Sequence, residues 1–223
     1  MTRQLIILLF AIIPVLTHGH NDLDIDFDEI RQIVTNPDSE YYYPKLLERY
    51  NNFDTTLTHQ EFALIYYGFS FQDEYLVNQP NERDLVRLWN NEEDEKLIEA
   101  CKKILERNPV SLRANYYLSR AKHSIGLPES EWRPYLDRYW AFRKVIVYSG
   151  DGLSCETAFK VIYVEDQYTM MYDYFEIKKL YEQRLVNLCD RHLVEPGEYF
   201  RGNEIYFDIS RRLLRTMELK GEN

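Results

Sequence analysis

The sequence is poor in the residues that most catalytic motifs require. Its 223 residues hold three cysteines and five histidines, and the formal charge of −10 leaves few cations to cluster. No C-x-x-C pair occurs, so thioredoxin-like redox chemistry and zinc ribbons lack ligands at the needed spacing. H-E-x-x-H and H-x-x-E-H are also missing and the histidines stand apart, so no metal is expected. With 27 basic against 37 acidic residues, extended phosphate neutralisation is disfavoured, which argues against nucleic acid and anionic lipid as partners. Glycine is scarce at eight residues. Its most suggestive stretch, "SGDG" at 149–152, matches neither G-x-G-x-x-G nor the P-loop, and Asp151 would repel a phosphate. Beyond Leu16 no apolar run approaches the ~20 residues of a membrane helix. No cofactor is expected.

What is present begins with "MTRQLIILLFAIIPVLTHGHND". Arg3 supplies a positive start, Leu5 to Leu16 an apolar stretch too short to span a bilayer, and Thr17 and Gly19 the small residues before a cleavage point. This predicts a signal peptide over 1–19, cut near Gly19, and an exported protein, periplasmic or secreted, with no membrane span after cleavage. Asp22, Asp24, Asp26 and Asp28 then alternate. Counted from Asp24, position 6 is Glu29 and position 12 is Thr35, where a calcium loop needs Gly and Glu. A helix start that favours acids is the simpler reading.

Residues 20–149 read as helical. Phe27, Ile30, Ile33 and Val34 fall on one face, and Pro37 ends that helix. A second helix spans about Tyr43 to Tyr50. Thr58 and Glu61 form a capping box for a third, "EFALIYYGFSFQDEY". In "EKLIEACKKILERNPVSLRANYYLSRAKHSIGLPES", two helices meet at a turn on Asn108-Pro109, with Ile98, Cys101 and Leu105 facing Ala114, Leu118 and Ala121. A further helix runs from Glu129 with Pro134 in its opening turns. From 150 to 223 the texture changes. "TAFKVIYV" predicts a strand with Phe159, Val161 and Tyr163 on one side. "QRLVNLCDRHLVE" suits helix or strand, and "NEIYFDIS" alternates as a clear strand. The fold class is therefore α+β, with N-terminal helical hairpins followed by a small antiparallel sheet of about three strands packed on them.

Among the cysteines, burial of all three as small apolar thiols is the favoured reading, with a Cys155–Cys189 bridge as the alternative.

The Asn108-Pro109 turn with Leu118-Ser119, Ala121 and Gly126 resembles a tetratricopeptide junction, and Tyr67-Gly68 resembles an earlier copy of the same pair. About 41 residues separate Gly68 from Pro109, against about 24 in a regular repeat, so an insertion near "VNQPNERD" is implied. The blocks "YYYPKLLERY", "LIYYGFSFQDEY", "SGDGLSCETAFKVIYVEDQY" and "NEIYFDIS" resemble an uncharacterised family of secreted Bacteroidetes proteins, the domain of unknown function four-nine-one-nine. That resemblance implies export and a shared fold, but no activity, cofactor or catalytic residue.

A repeat-like helical region carries its binding surface on exposed positions of the first helices. Those are Arg113, Tyr116, Arg120 and His123, with Phe69 and Gln72 from the earlier copy. The leading expectation is a non-enzymatic interaction domain with a protein or peptide partner. The alternative is a hydrolase acting on glycan or peptide, using acids of segment 151–166 in a cleft. A Cys155 nucleophile with His192 as base is a lesser option. The 19 tyrosines are read mainly as packing groups whose hydroxyls reach polar partners. Gly150 and Gly152 are read as the turn joining the helical and β parts.

Overall fold

A computed structural model describes residues 24–77 and 81–221. The expected signal segment, 1–19, lies outside these residues. Helix α1 (Phe27–Thr35) starts at Asp26, whose carboxylate accepts from the amides of Asp28 and Glu29 at 2.8 and 3.1 Å. Of the alternating acids, Asp26 thus caps the helix and Asp28 lies in its first turn. Helix α2 (Tyr43–Asn51) follows, and α3 (His59–Gly68) begins with the Thr58–Glu61 capping box. α3 stops earlier than its apolar run predicts, and a 3₁₀ turn covers Phe69–Phe71. Ser70 Oγ donates to the Tyr67 carbonyl at 2.6 Å, taking an acceptor that a continuing helix would use. Gly68 lets α1 and α2 close on α3, since a Cβ there would sit 3.0 Å from Val34 and 3.2 Å from Tyr43.

Helices α4 (Arg83–Asn90), α5 (Asp94–Leu105), α6 (Leu112–Ser124) and α7 (Glu129–Val147) come next. Ser111 caps α6 through the Ala114 amide at 3.0 Å, and Gly126, at φ 78°, ends it. Leu97, Ile98, Cys101 and Ile104 of α5 share a core with Leu85 and Leu88 of α4 and with Ala114, Leu118 and Ala121 of α6.

The sheet has four strands in the order β1-β4-β3-β2: β1 (Phe159–Lys160), β2 (Leu180–Val186), β3 (Cys189–Val194) and β4 (Glu204–Asp208). It is mixed rather than wholly antiparallel, because β1 runs parallel to β4. The ambiguous segment 183–195 is a hairpin arm and turn. Asn187, at φ 58°, supplies the left-handed residue that a two-residue turn needs. The long strand expected in "TAFKVIYV" shrinks to two residues. Val161, Ile162 and Tyr163 are all buried, so alternation does not describe the segment. Its backbone is met by tyrosines instead of a second strand. The Tyr67 hydroxyl donates to the Lys160 carbonyl at 3.1 Å, the Ile162 amide donates to the Tyr66 hydroxyl at 3.4 Å, and the Tyr75 hydroxyl donates to the Ile162 carbonyl. Three helices were not individually anticipated: α4, α8 (Val164–Thr169), continued by a π turn over Met170–Tyr174, and α9 (Ser210–Lys220).

One large core joins the helical and β parts, with Phe142 and Ile146 of α7 packed in the same cluster as Phe159, Ile205 and Phe207. At the junction, Asp151 and Gly152 amides both donate to the Thr157 carbonyl, and the Tyr206 amide donates to the Gly152 carbonyl at 3.0 Å. Gly152 has φ 69°, and a Cβ there would lie 2.3 Å from the Phe159 ring. The favoured reading of three thiols is corrected here. Pinning this turn against the sheet brings Cys155 to Cys189, with a Cα–Cα distance of 5.7 Å, and the two form a disulfide. Cys101 remains a buried thiol whose pKa burial pushes up.

Candidate functional site

A cavity of about 630 Å³ opens between α2, the 3₁₀ turn, the α5–α6 turn and α7. Tyr43, Tyr50, Phe53, Phe69 and Tyr135 give it an aromatic wall, and Glu74, Lys102, Glu106 and Arg107 stand around it. Local sequence explains each wall. Pro109 sets the α5–α6 turn, and its carbonyl accepts from the Tyr50 hydroxyl at 2.8 Å and from Asn115 Nδ2 at 3.3 Å. The C-terminus of α2 closes with the Asp54 amide on the Arg49 carbonyl and the Phe53 amide on the Tyr50 carbonyl. That is the Schellman pattern, whose left-handed residue is usually glycine. Here it is Phe53, at φ 55°. A non-glycine residue in this region carries a cost of about 1 kcal/mol. The same conformation points the Phe53 ring at α7.

What it meets there is Arg138. Its guanidinium lies 3.8 Å from the ring centroids of both Tyr50 and Phe53 and 5.7 Å from that of Tyr135. Arg138 is only 9% exposed, and its Nη2 donates to the Tyr50 carbonyl. Neighbouring acids are engaged elsewhere: Asp137 with Arg133 at 2.8 Å, and Asp54 with Arg49 at 2.7 Å. Among the described residues no carboxylate forms an ion pair with Arg138. Burial lowers its pKa and pushes the Tyr50 hydroxyl up to about 12, so Tyr50 is neutral at ordinary pH. Arg138 also walls a second cavity of about 320 Å³, reached past Leu57, Phe62 and Pro134.

The structure divides the groove residues expected from sequence. Phe69 and Gln72 line the large cavity, with Gln72 Nε2 donating to the Gly68 carbonyl at 3.0 Å. Arg113, Tyr116, Arg120 and His123 lie on α6 and do not line it. Arg113 comes within 3.8 Å of Glu82, Tyr116 packs on Tyr139 at 4.9 Å, Arg120 is exposed, and His123 meets Trp132 edge-on at 5.1 Å. Sequence reasoning missed Arg138, Tyr50 and Phe53. The signal was available in α7, where Tyr135, Arg138, Phe142 and Val145 share helical spacing, so an apolar stripe contains one cation.

The acids of segment 151–166 do not converge. Asp151 and Glu156, with Asp24, border a small surface cavity. Asp151 accepts from the Leu153 amide at 2.9 Å, and the Ser154 hydroxyl holds the Glu156 carboxyl below its usual range. Glu156 is therefore not poised to donate a proton near neutrality. Asp166 points into the interior, where the Tyr66 hydroxyl donates to it at 2.6 Å and burial raises it well above the carboxylate range. Glu82, also raised by burial, accepts from Ser111 Oγ at 2.5 Å. The nucleophile option for Cys155 is closed by its bond to Cys189. His192 is fully buried, its Nε2 lying 2.8 Å from Gln167 Oε1, and burial lowers its pKa to about 4. Gln167 Nε2 in turn donates to Asp190 at 2.9 Å. Among the described residues no group of three His, Cys, Asp or Glu side chains has metal-holding geometry. Nor is any described helix long and apolar enough to cross a membrane.

Fold and site together define an α+β domain with an aromatic cavity built around a buried cation. The family described as a domain of unknown function, DUF4919, matches residues 28–218, and the chain belongs to that family. No curated protein and no solved structure matches the chain.

Proposed function

We propose that the protein is an exported, non-enzymatic domain that binds a protein or peptide partner in the cleft beside Arg138. The observation that carries this reading is the cleft itself. Its volume falls in the ~300–1,000 Å³ range of ligand sites, and its walls are rigid aromatic groups with a few polar ones. The hydrolase alternative has less behind it, because the acids it needs are split between a capped surface turn and the interior. Export rests on the N-terminal pattern. The Cys155–Cys189 bridge supports it, since disulfides persist in oxidising compartments.

A photo-reactive residue replacing Gln72, in the cell that exports the protein, tests the reading. Asn51→Trp fills the cleft from α2 and serves as the control. The expected result is a discrete adduct with the open cleft and none with Asn51→Trp, at equal thermal stability. No adduct, or the same adduct from the filled cleft, overturns the binding function. N-terminal sequencing of the protein from the exported fraction should begin at His20; a chain beginning at Met1 overturns cleavage, and absence of the protein from that fraction overturns export.

A further inference from the structure

We infer that Arg138 is the receptor for a free carboxylate, and that the cleft takes a peptide C-terminus whose last side chain is apolar or aromatic. This rests on the binding reading above and names the ligand chemistry within it. Burying a cation away from water is unfavourable unless it is paired, and Arg138 has two rings and one backbone carbonyl in place of a counter-ion. A guanidinium presents five N–H donors in one plane, a fork that matches the two oxygens of a carboxylate. Rings cover the faces of that plane, while hydrogen bonds are made at its edge. Arg138 forms one hydrogen bond among the described residues, and its side chain forms part of the wall of both cavities. Donor capacity therefore remains where a ligand would enter.

The surroundings choose the kind of anion. Lys102 is exposed and pairs with Glu99 at 3.0 Å, and Arg107 is exposed, so Arg138 is the buried cation among the basic side chains that line the cleft. One buried cation suits one negative charge better than a phosphate dianion, which the overall charge of −10 also disfavours. Among the aromatic residues that line the cleft, Phe53, 39% exposed, and half-buried Tyr135 are accessible to an apolar side chain next to the carboxylate. Neutral Tyr50 adds no repulsion. The left-handed conformation of Phe53 fixes one ring against the guanidinium before any ligand arrives, which lowers the ordering cost of binding.

Calorimetric titration of the full exported chain with N-acetylglycyl-L-phenylalanine and with its C-terminal amide tests this without any variant. The acid is expected to bind about tenfold tighter or more, the usual scale of a charge-assisted pair relative to a neutral one. Arg138→Gln should erase that preference, Arg138→Lys should reduce it because the planar fork is lost, and Arg120→Gln, at an exposed position of α6 that does not line the cleft, should leave it within about twofold. Equal binding of acid and amide, both blocked by Asn51→Trp, overturns the carboxylate receptor and leaves the cleft as a binding site. Absence of binding by both probes alongside a positive Gln72 adduct also overturns it. Absence of both probe binding and the adduct overturns the binding function as well.

Discussion

Arg138 and Asp166 are both buried ionisable side chains, yet they are handled in opposite ways. Burial raises the pKa of Asp166, and its carboxyl accepts from the Tyr66 hydroxyl, which in turn accepts from the Ile162 amide. It closes a chain of polar groups that fixes α3 against the segment before α8. Arg138 keeps its charge, stacks on rings, and faces open cavities on both sides. The first arrangement is fully internal and therefore architectural. The second is complete only when something else supplies the anion. The location of an unpaired charge, more than the degree of burial, separates a scaffold residue from a recognition residue.

The largest expected effect lies far from the cleft. Replacing both Cys155 and Cys189 by Ser releases a loop with a sequence separation of 34 and should cost roughly 3–4 kcal/mol in urea denaturation. Acid–amide preference at Arg138 should survive. Loss of that preference would mean that the two regions are not separable.

Acidification comes next. Because the folded pKa of His192 is about 4, the unfolded chain takes up its proton first as pH falls. The contribution of neutral His192 is present above about 6.5 and is lost towards pH 4, on the order of 3 kcal/mol. His192→Gln should flatten denaturation midpoints across that window. Asp166 and Glu82 act with the opposite sign. Their folded pKa values are raised, so their contribution is complete below the unfolded carboxyl range and is lost as pH rises through the folded values. Asp166→Asn keeps an acceptor for Tyr66 and should gain stability relative to the wild type at pH 8; an equal loss at every pH contradicts the raised pKa.

Tyr66→Phe should cost about 2 kcal/mol, because it strands both the Ile162 amide and the Asp166 carboxyl in the interior. The smallest expected effect is at Arg138. Exchanging a buried unpaired cation for an apolar side chain of similar length is often neutral or favourable, so Arg138→Met should stay within about 1 kcal/mol of wild type.

Helix positions were legible wherever a local signal existed: Thr58 and Glu61 at α3, Pro109 before α6, Gly126 after it. "NEIYFDIS" was legible as β4 because its alternation matches burial on one face. The segment 161–163 was not, because it is buried on all sides and its backbone partners are tyrosine hydroxyls about 90 residues away, which leave no trace in local periodicity. The hairpin at Asn187 was obscured by a mixed pattern, since β2 is exposed along most of its length and presents no apolar face to read. Of the cleft, Phe69 and Gln72 were reached from sequence. Arg138 was passed over because α7 reads as one more amphipathic helix, and its packing against α2 is a long-range event. Phe53 was invisible for a further reason. Its role depends on a left-handed backbone conformation that composition assigns to glycine.

Stability and ligand preference measured together in Arg138→Met test the central claim most directly. A recognition residue predicts a urea midpoint at or above that of the wild type, an unchanged slope, and equal affinity for N-acetylglycyl-L-phenylalanine and its amide. A loss of about 2 kcal/mol or more with the preference for the acid intact would make Arg138 a packing residue and contradict the account.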